Sequence, residues 1–124
     1  KTVIEVAENL KIKMHPTGTY VCIEGPRFST KAESKMYQQW GADIIGMTMV
    51  PEAVLAREAE ICYTNISTVT DYDCWKEHAV CVDDIVTTMR NNVENVKRII
   101  AETVAKTPSE CSCQCGHALS GAFA

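Results

Sequence analysis

The chain has 124 residues, 46% of them apolar and 23% charged, with a net charge of −4. That suffices for one domain with a buried core, while the acidic balance excludes nucleic acid as the main partner, since phosphate neutralisation needs a basic face. Apolar runs are only a few residues long, so neither a membrane span nor a secretory leader is expected and a cytoplasmic location follows.

Helix and strand patterns alternate along the chain. Val3, Ile4, Val6, Ala7 and Leu10 form a helical stripe over residues 2–10, and His15-Pro16-Thr17-Gly18 breaks it. Residues 19–23 are β-branched and aromatic and predict a strand closed by Gly25-Pro26. Ser29 or Thr30 caps a helix that runs to Trp40, where Gly41 stops it. Residues 43–48 predict a short buried strand. Pro51 suits the first turn of a helix over 52–60, with Ala53, Leu55 and Ala56 facing inwards. Residues 61–69 predict the next strand. Val82, Ile85, Val86, Met89, Val93, Val96, Ile99, Ile100 and Val104 recur at three- and four-residue spacing, a long amphipathic helix over 82–105. Thr107-Pro108 ends it and the tail reads as loop. Such alternation implies an α/β sandwich with helices on both faces of the sheet. Opening at Lys1 without an initiator Met, the sequence reads as a piece of a longer or processed protein.

Ligands of open α/β sheets bind at the carboxyl ends of the strands. Three such ends carry suggestive residues. The first is Glu24-Gly25-Pro26-Arg27-Phe28-Ser29, a rigid turn that can present an aromatic face and a small hydroxyl. The second is Gly46-Met47-Thr48, which places a hydroxyl and an N–H before a helix N-terminus, a natural anion site. The third is Thr70-Asp71-Tyr72-Asp73, two carboxylates leaving a buried strand, where they are costly unless a ligand uses them. Each end also has a plain structural reading as turn or helix cap. His78, in the polar loop that follows, has no evident partner and reads as solvated.

EGPRFST at 24–30, GADIIGMTMVPEAVLAREAEICY at 41–63 and TDYDCWKEH at 70–78 together resemble the second half of the trimeric purine nucleoside phosphorylases, in particular their methylthioadenosine-cleaving branch. The likeness runs over residues 1–105. It implies the C-terminal half of a phosphorylase domain at 1–106, a mixed central sheet flanked by helices, and a Cys-rich tail at 107–124. It also implies phosphorolysis of 5′-methylthioadenosine, with phosphate as co-substrate, no cofactor and no catalytic metal. The remaining partners implied are a complementary N-terminal half, which holds the main phosphate-binding loops, and a homotrimer or dimer of trimers. By the same resemblance Thr48 binds phosphate, Met47 packs under the ribose and Phe28 contacts base and sugar. Ile45 and Tyr72 also contact substrate, and Val82, Ile85 and Val86 cover the methylthio group. The helical spacing of these last three equally suits a core stripe.

Relatives that cleave 6-oxopurines carry Glu where this chain has Ser29, and Asn where it has Asp71. A carboxylate at position 29 would face the unprotonated N1 of adenine as a second acceptor. Ser29 removes that clash, and Asp71 accepts from the exocyclic amine. Asp71, buried beneath the base with a raised pKa, would protonate N7 of the leaving purine, and Asp73 would hold the base edge or orient Asp71. Two carboxylates so close titrate as a pair, so the proton is not assigned to one. The nearer rival is a broader phosphorylase taking adenosine, inosine or guanosine.

Seven cysteines complete the chain. Cys22, Cys62, Cys74 and Cys81 lie in or beside apolar runs, as small buried hydrophobes do. Cys111, Cys113 and Cys115 form C-x-C-x-C beside His117, which a metal- or redox-sensing module would also show, although the spacing is tighter than the usual zinc knuckle. Hyperthermophilic members of the family use C-x-C bridges, so the resemblance implies a disulfide between Cys111 and Cys113, and a pairing of Cys62 with a cysteine upstream of Lys1.

Overall fold

The computed structural model describes residues 1–75, 82–110 and 112–122, with the backbone alone at Val82 and Asp84. Two of the three predicted strands pair. β1 (Tyr20–Cys22) and β2 (Ile44–Gly46) run parallel, with Tyr20 opposite Ile44, Val21 opposite Ile45 and Cys22 opposite Gly46. Both are shorter than predicted, although Ile23 N donates to Gly46 O and Asp43 N to Thr19 O, each at 2.9 Å, so the ladder frays into the flanking residues. Gly46 is required by packing: a methyl there would overlap the ring and hydroxyl of Tyr20. Parallel pairing puts both carboxyl ends on one edge, the condition for a shared site.

Between them lies α2 (Lys31–Gln39), started by a capping box in which Thr30 accepts from Glu33 N and the Glu33 carboxylate accepts from Thr30 N. It ends where predicted, because Gly41 takes φ +80°, a conformation that side chains resist. α3 (Met49–Glu58) begins three residues before the predicted start and seats Pro51 in its first turn, where the missing N–H costs nothing. It stops short of Glu60, which turns to φ 56°. Ala53 and Ala56 are half-buried as expected, but Leu55 is 61% exposed, so the inward assignment of Leu55 is corrected: no side chain of α3 is buried.

The predicted strand at 61–69 does not form. Without a ladder partner among the described residues, its apolar side chains divide: Ile66 turns onto the core while Ile61 and Val69 face solvent. Among the described residues the sheet is this parallel pair, an α/β arrangement consistent with part of the fold expected. The core lies elsewhere, between α1 (Thr2–Asn9) and α4 (Val82–Lys106). Val6, Ala7 and Ile99 are buried there, with Val3, Leu10, Ile12, Met14 and Ile66 packed around them. Val6 and Ile99 each contribute about 1.5–3 kcal/mol through loss of contact with water, and Ala7 less. No helix among the described residues is long and apolar enough to cross a membrane.

The segment after α4 is more than loop. Gln114–His117 forms a 3₁₀ turn, and Leu119 N donates to Glu60 Oε1 at 3.1 Å, folding the tail back onto the end of α3.

Candidate active site

The strand-end loop after β1 is fixed from both sides. Gly25 lies against Met47, the residue that leaves β2; a Cβ at position 25 would come within 2.8 Å of the Met47 sulfur. The first and second strand ends thus touch closely, and a side chain at residue 25 would have to displace the flexible Met47 thioether. Further on, Arg27 reaches Glu33 with two nitrogens, at 2.6 and 2.9 Å, and donates to Phe28 O at 3.0 Å. This bidentate clamp folds the loop over the start of α2 and leaves the Phe28 ring 84% exposed, available to a ligand.

The Arg27 hydrogen bond, with those of Thr30, holds the Glu33 carboxyl at about 2, against an ordinary 4.5. Since the folded value is the lower one, the clamp adds stability above pH 4.5 and loses it as pH falls towards 2. Wild type is accordingly expected to melt above Glu33→Gln at neutral pH, the gap closing across that acid window. A gap of equal size at both ends would show that the carboxylate charge is irrelevant.

Ser29, at the end of the loop, is 8% exposed and joins the end of β1 to the segment carrying Asp73. Its hydroxyl lies 3.0 Å from both oxygens of Asp73, across 44 residues of sequence, and 3.1 Å from Ser34 Oγ. Ser34, buried on the first turn of α2, makes a short hydrogen bond to Asp73 Oδ2, and Cys74 N donates to Asp73 Oδ1 at 2.8 Å. The Cys74 sulfur adds a contact to Ser29 O at 3.2 Å. Burial works to raise the Asp73 pKa, but the hydrogen bonds from Ser34, Cys74 and Ser29 outweigh it and hold the carboxyl below its usual range. Asp73 is thus an anion whose acceptor sites are largely taken from within.

Asp71 is placed differently. It is exposed, and its carboxylate accepts from Thr70 Oγ1 at 2.6 Å. The expectation of a buried Asp71 is corrected: residues 61–69 form no strand, so no sheet covers the carboxylate that follows them. Tyr72 is exposed and stands edge-on to Trp75, ring centres 6.0 Å apart. Thr48 is the N-cap of α3, exposed, and its hydroxyl makes no capping bond. Ile45 is half-buried in β2 opposite Val21.

The predicted thioether wall is placed in part. Ile85 is half-buried, and Val86 opens onto a mostly apolar groove of about 520 Å³ with Met89, Arg90, Val93 and Glu94. The side chain of Val82, the loop of Lys76, Glu77 and His78, and Cys81 and Cys111 lie outside the described residues. A second hollow, of about 450 Å³, is lined by Cys22, Ile23, Glu24, Gly25, Arg27 and Tyr37. It contains neither aspartate and opens on the β1 side of the loop.

Sequence reasoning missed Ser34 and Cys74. The signal for Ser34 was its spacing, four residues after Thr30 and so on the same helix face, aimed back at the cap. The Glu33 clamp was legible too, as the S/T-x-x-E pattern of Thr30-Lys31-Ala32-Glu33.

Two parallel strands whose carboxyl ends carry an aromatic ring and a threonine at a helix N-terminus, with an aspartate bonded to the first of them, describe a small-molecule site of an α/β enzyme fold. The chain belongs to the phosphorylase superfamily, whose family model matches residues 1–105. It is 56% identical over 118 residues to S-methyl-5′-thioadenosine phosphorylase of Nitrosopumilus maritimus, a match covering 95% of this chain and 45% of that protein. To the S-methyl-5′-thioadenosine phosphorylase of Danio rerio it is 54% identical over 106 residues, covering 84% of this chain and 38% of the other. Among solved structures, methylthioadenosine phosphorylase from Schistosoma mansoni in complex with adenine superposes with a TM-score of 0.80 at 39% identity, over 94% of this chain and 47% of that one. The chain thus spans about half the length of the relatives it matches.

Proposed function

We propose that this chain is the C-terminal half, residues 1–106, of a phosphorylase that cleaves 5′-methylthioadenosine with phosphate, giving adenine and 5-methylthioribose 1-phosphate. The observation that carries the reading is the bond between Ser29 and Asp73. It ties the loop after β1 to the segment of Asp71 and Asp73 with a hydroxyl, not a carboxylate, at the position that decides between amino- and oxopurines. Relatives of like sequence carry that activity in their names, and the solved relatives hold adenine, tubercidin or methylthioadenosine.

In the reaction an oxygen of phosphate bonds to C1′ as the C1′–N9 bond breaks, and the bonding pair passes into the purine. A proton delivered at N7 neutralises the leaving base. Asp71 is the residue free to face substrate, because its carboxylate has one protein donor while Asp73 is occupied by Ser29, Ser34 and Cys74. Asp73 is accordingly a positioning carboxylate that sets the loop carrying Asp71 and Tyr72. Thr48 offers its uncommitted hydroxyl and the N-terminus of α3 to phosphate. Phe28 stacks on base and sugar, Met47 and Ile45 floor the ribose, and Val82, Ile85 and Val86 meet the methylthio group, an apolar wall suiting a thioether better than a hydroxyl. No cofactor is needed, since phosphate is itself the second substrate. The remaining phosphate ligands come from the complementary N-terminal half, and the assembly is a cytoplasmic homotrimer or dimer of trimers.

The test is phosphorolysis by the full-length polypeptide of methylthioadenosine, adenosine, inosine and guanosine in parallel. A site built for one hydrogen-bond pattern rejects the other by about 10⁴-fold or more, so the two 6-oxopurines should be near background. Cleavage of inosine without methylthioadenosine would overturn the roles given to Ser29 and Asp71.

A further inference from the structure

Phosphorolysis gives a reason for Ser29 but none for Ser34, a serine in the first turn of α2 that is 2% exposed. A buried hydroxyl is costly unless it is bonded, and this one is surrounded by partners. It bonds Asp73 Oδ2 across 39 residues of sequence, and lies 3.1 Å from each of Thr30 O, Ser29 Oγ and Cys74 Sγ. The Thr30 carbonyl and the Asp73 carboxylate can only accept. Ser34 has one proton to give, and the charged acceptor makes the stronger bond. Ser29 lies 3.0 Å from each Asp73 oxygen, so its proton goes the same way. With both protons committed, the Ser29 oxygen has only lone pairs left to offer.

We propose that Ser34 is a positioning residue for base selection: it braces Asp73 from α2, so that Ser29 gives its proton to Asp73 and meets the purine as an acceptor. The role rests on the proposed phosphorolysis. Asp73 is held at two points, Oδ2 by Ser34 and Oδ1 by Cys74 N at 2.8 Å, which fixes the plane of the carboxylate against Ser29. Without the Ser34 hydroxyl only the second point remains. The carboxylate can then turn, and the Ser29 hydroxyl is released to aim its proton at a ligand instead. That difference decides which base is favoured. A 6-amino group carries two N–H donors, one for Asp71 and one for Ser29, whereas a 6-oxo group has none and meets two acceptors. Ser34 touches no substrate and acts through Ser29.

The unaltered full-length protein, Ser34→Ala and Ser34→Cys are compared on methylthioadenosine and on the same nucleoside lacking its 6-amino group, with phosphate saturating. Ser34→Cys keeps nearly the same volume but offers only a weak S–H donor, so it reads the hydroxyl even where the alanine variant fails to fold. In both variants kcat on methylthioadenosine should hold while KM rises. The preference in kcat/KM for the 6-amino substrate should fall by about 5–10-fold, the net worth of one hydrogen bond. In a Ser29→Ala background the same substitution should change the preference no further. A serine that merely supported the fold would weaken both nucleosides alike. An unchanged preference in Ser34→Cys, or an equal loss with and without Ser29, would overturn the role of Ser34 and leave phosphorolysis standing. No cleavage of methylthioadenosine by the unaltered protein would overturn the proposed reaction and this role with it.

Discussion

Asp71→Asn is expected to lower kcat/KM for methylthioadenosine by about 10²–10⁴-fold, the range that positioned general acids supply. An amide keeps the size of the side chain and can still accept, but it has no proton to yield to N7 as the glycosidic bond breaks. Its NH₂ group is, in addition, a donor where the 6-amino group of adenine needs an acceptor. The same NH₂ suits a 6-oxo group, so inosine should lose less activity than methylthioadenosine, and its relative preference should rise. Steady-state kinetics on the full-length protein with both substrates read both effects at once. Unchanged methylthioadenosine kinetics would remove Asp71 from the mechanism. The measurement is informative because Asp71 is exposed and, among the described residues, bonded locally to Thr70, so the substitution disturbs no buried contact there.

What could be read in advance followed from how local its cause is. α2 was legible at both ends, since Thr30 and Gly41 act on their neighbours alone. The stripe of α4 likewise announced itself, and Ile99 became the residue on it that is buried against α1. Residues 61–69 have the composition of a strand, but a strand is a relation between two segments, and the described residues offer it no edge. Leu55 misled for the same reason: an apolar residue on a helix faces inward only if something lies there. At the site, the β-α-β rule pointed to these residues, but the partner of Ser29 is Asp73, not the Asp71 with which it was expected to discriminate the base. Their attachment to Ser34 and Cys74, and the meeting of Cys62 with the tail, depend on contacts 39 to 51 residues apart in sequence. No spacing rule reaches that far.

Asp73→Ala should cost more in structure than in chemistry. The carboxylate is the common acceptor for Ser29, Ser34 and Cys74 N, and removing it leaves the buried Ser29 and Ser34 hydroxyls with each other, the Thr30 carbonyl and the Cys74 sulfur. Hydrogen bonds to a charged group are worth about 1.5–3 kcal/mol each; Asp73 is half-buried and partly screened by water, so a total loss of about 2 kcal/mol is expected. The pH dependence separates this role from a catalytic one. The folded carboxyl titrates below its ordinary value of 3.8, so its contribution is present above that pH and lost as the pH falls through the lower folded value. Wild type should therefore converge on Asp73→Ala in acid, and Ser34→Ala, which removes one of the bonds that lower the value, should move that convergence to higher pH. If Asp73 acted as the proton donor, Ser34→Ala would in addition displace the acid limb of the kcat profile. A shift of the unfolding curve at constant kcat is the outcome expected of a carboxylate that positions the loop of Asp71 and gives no proton away.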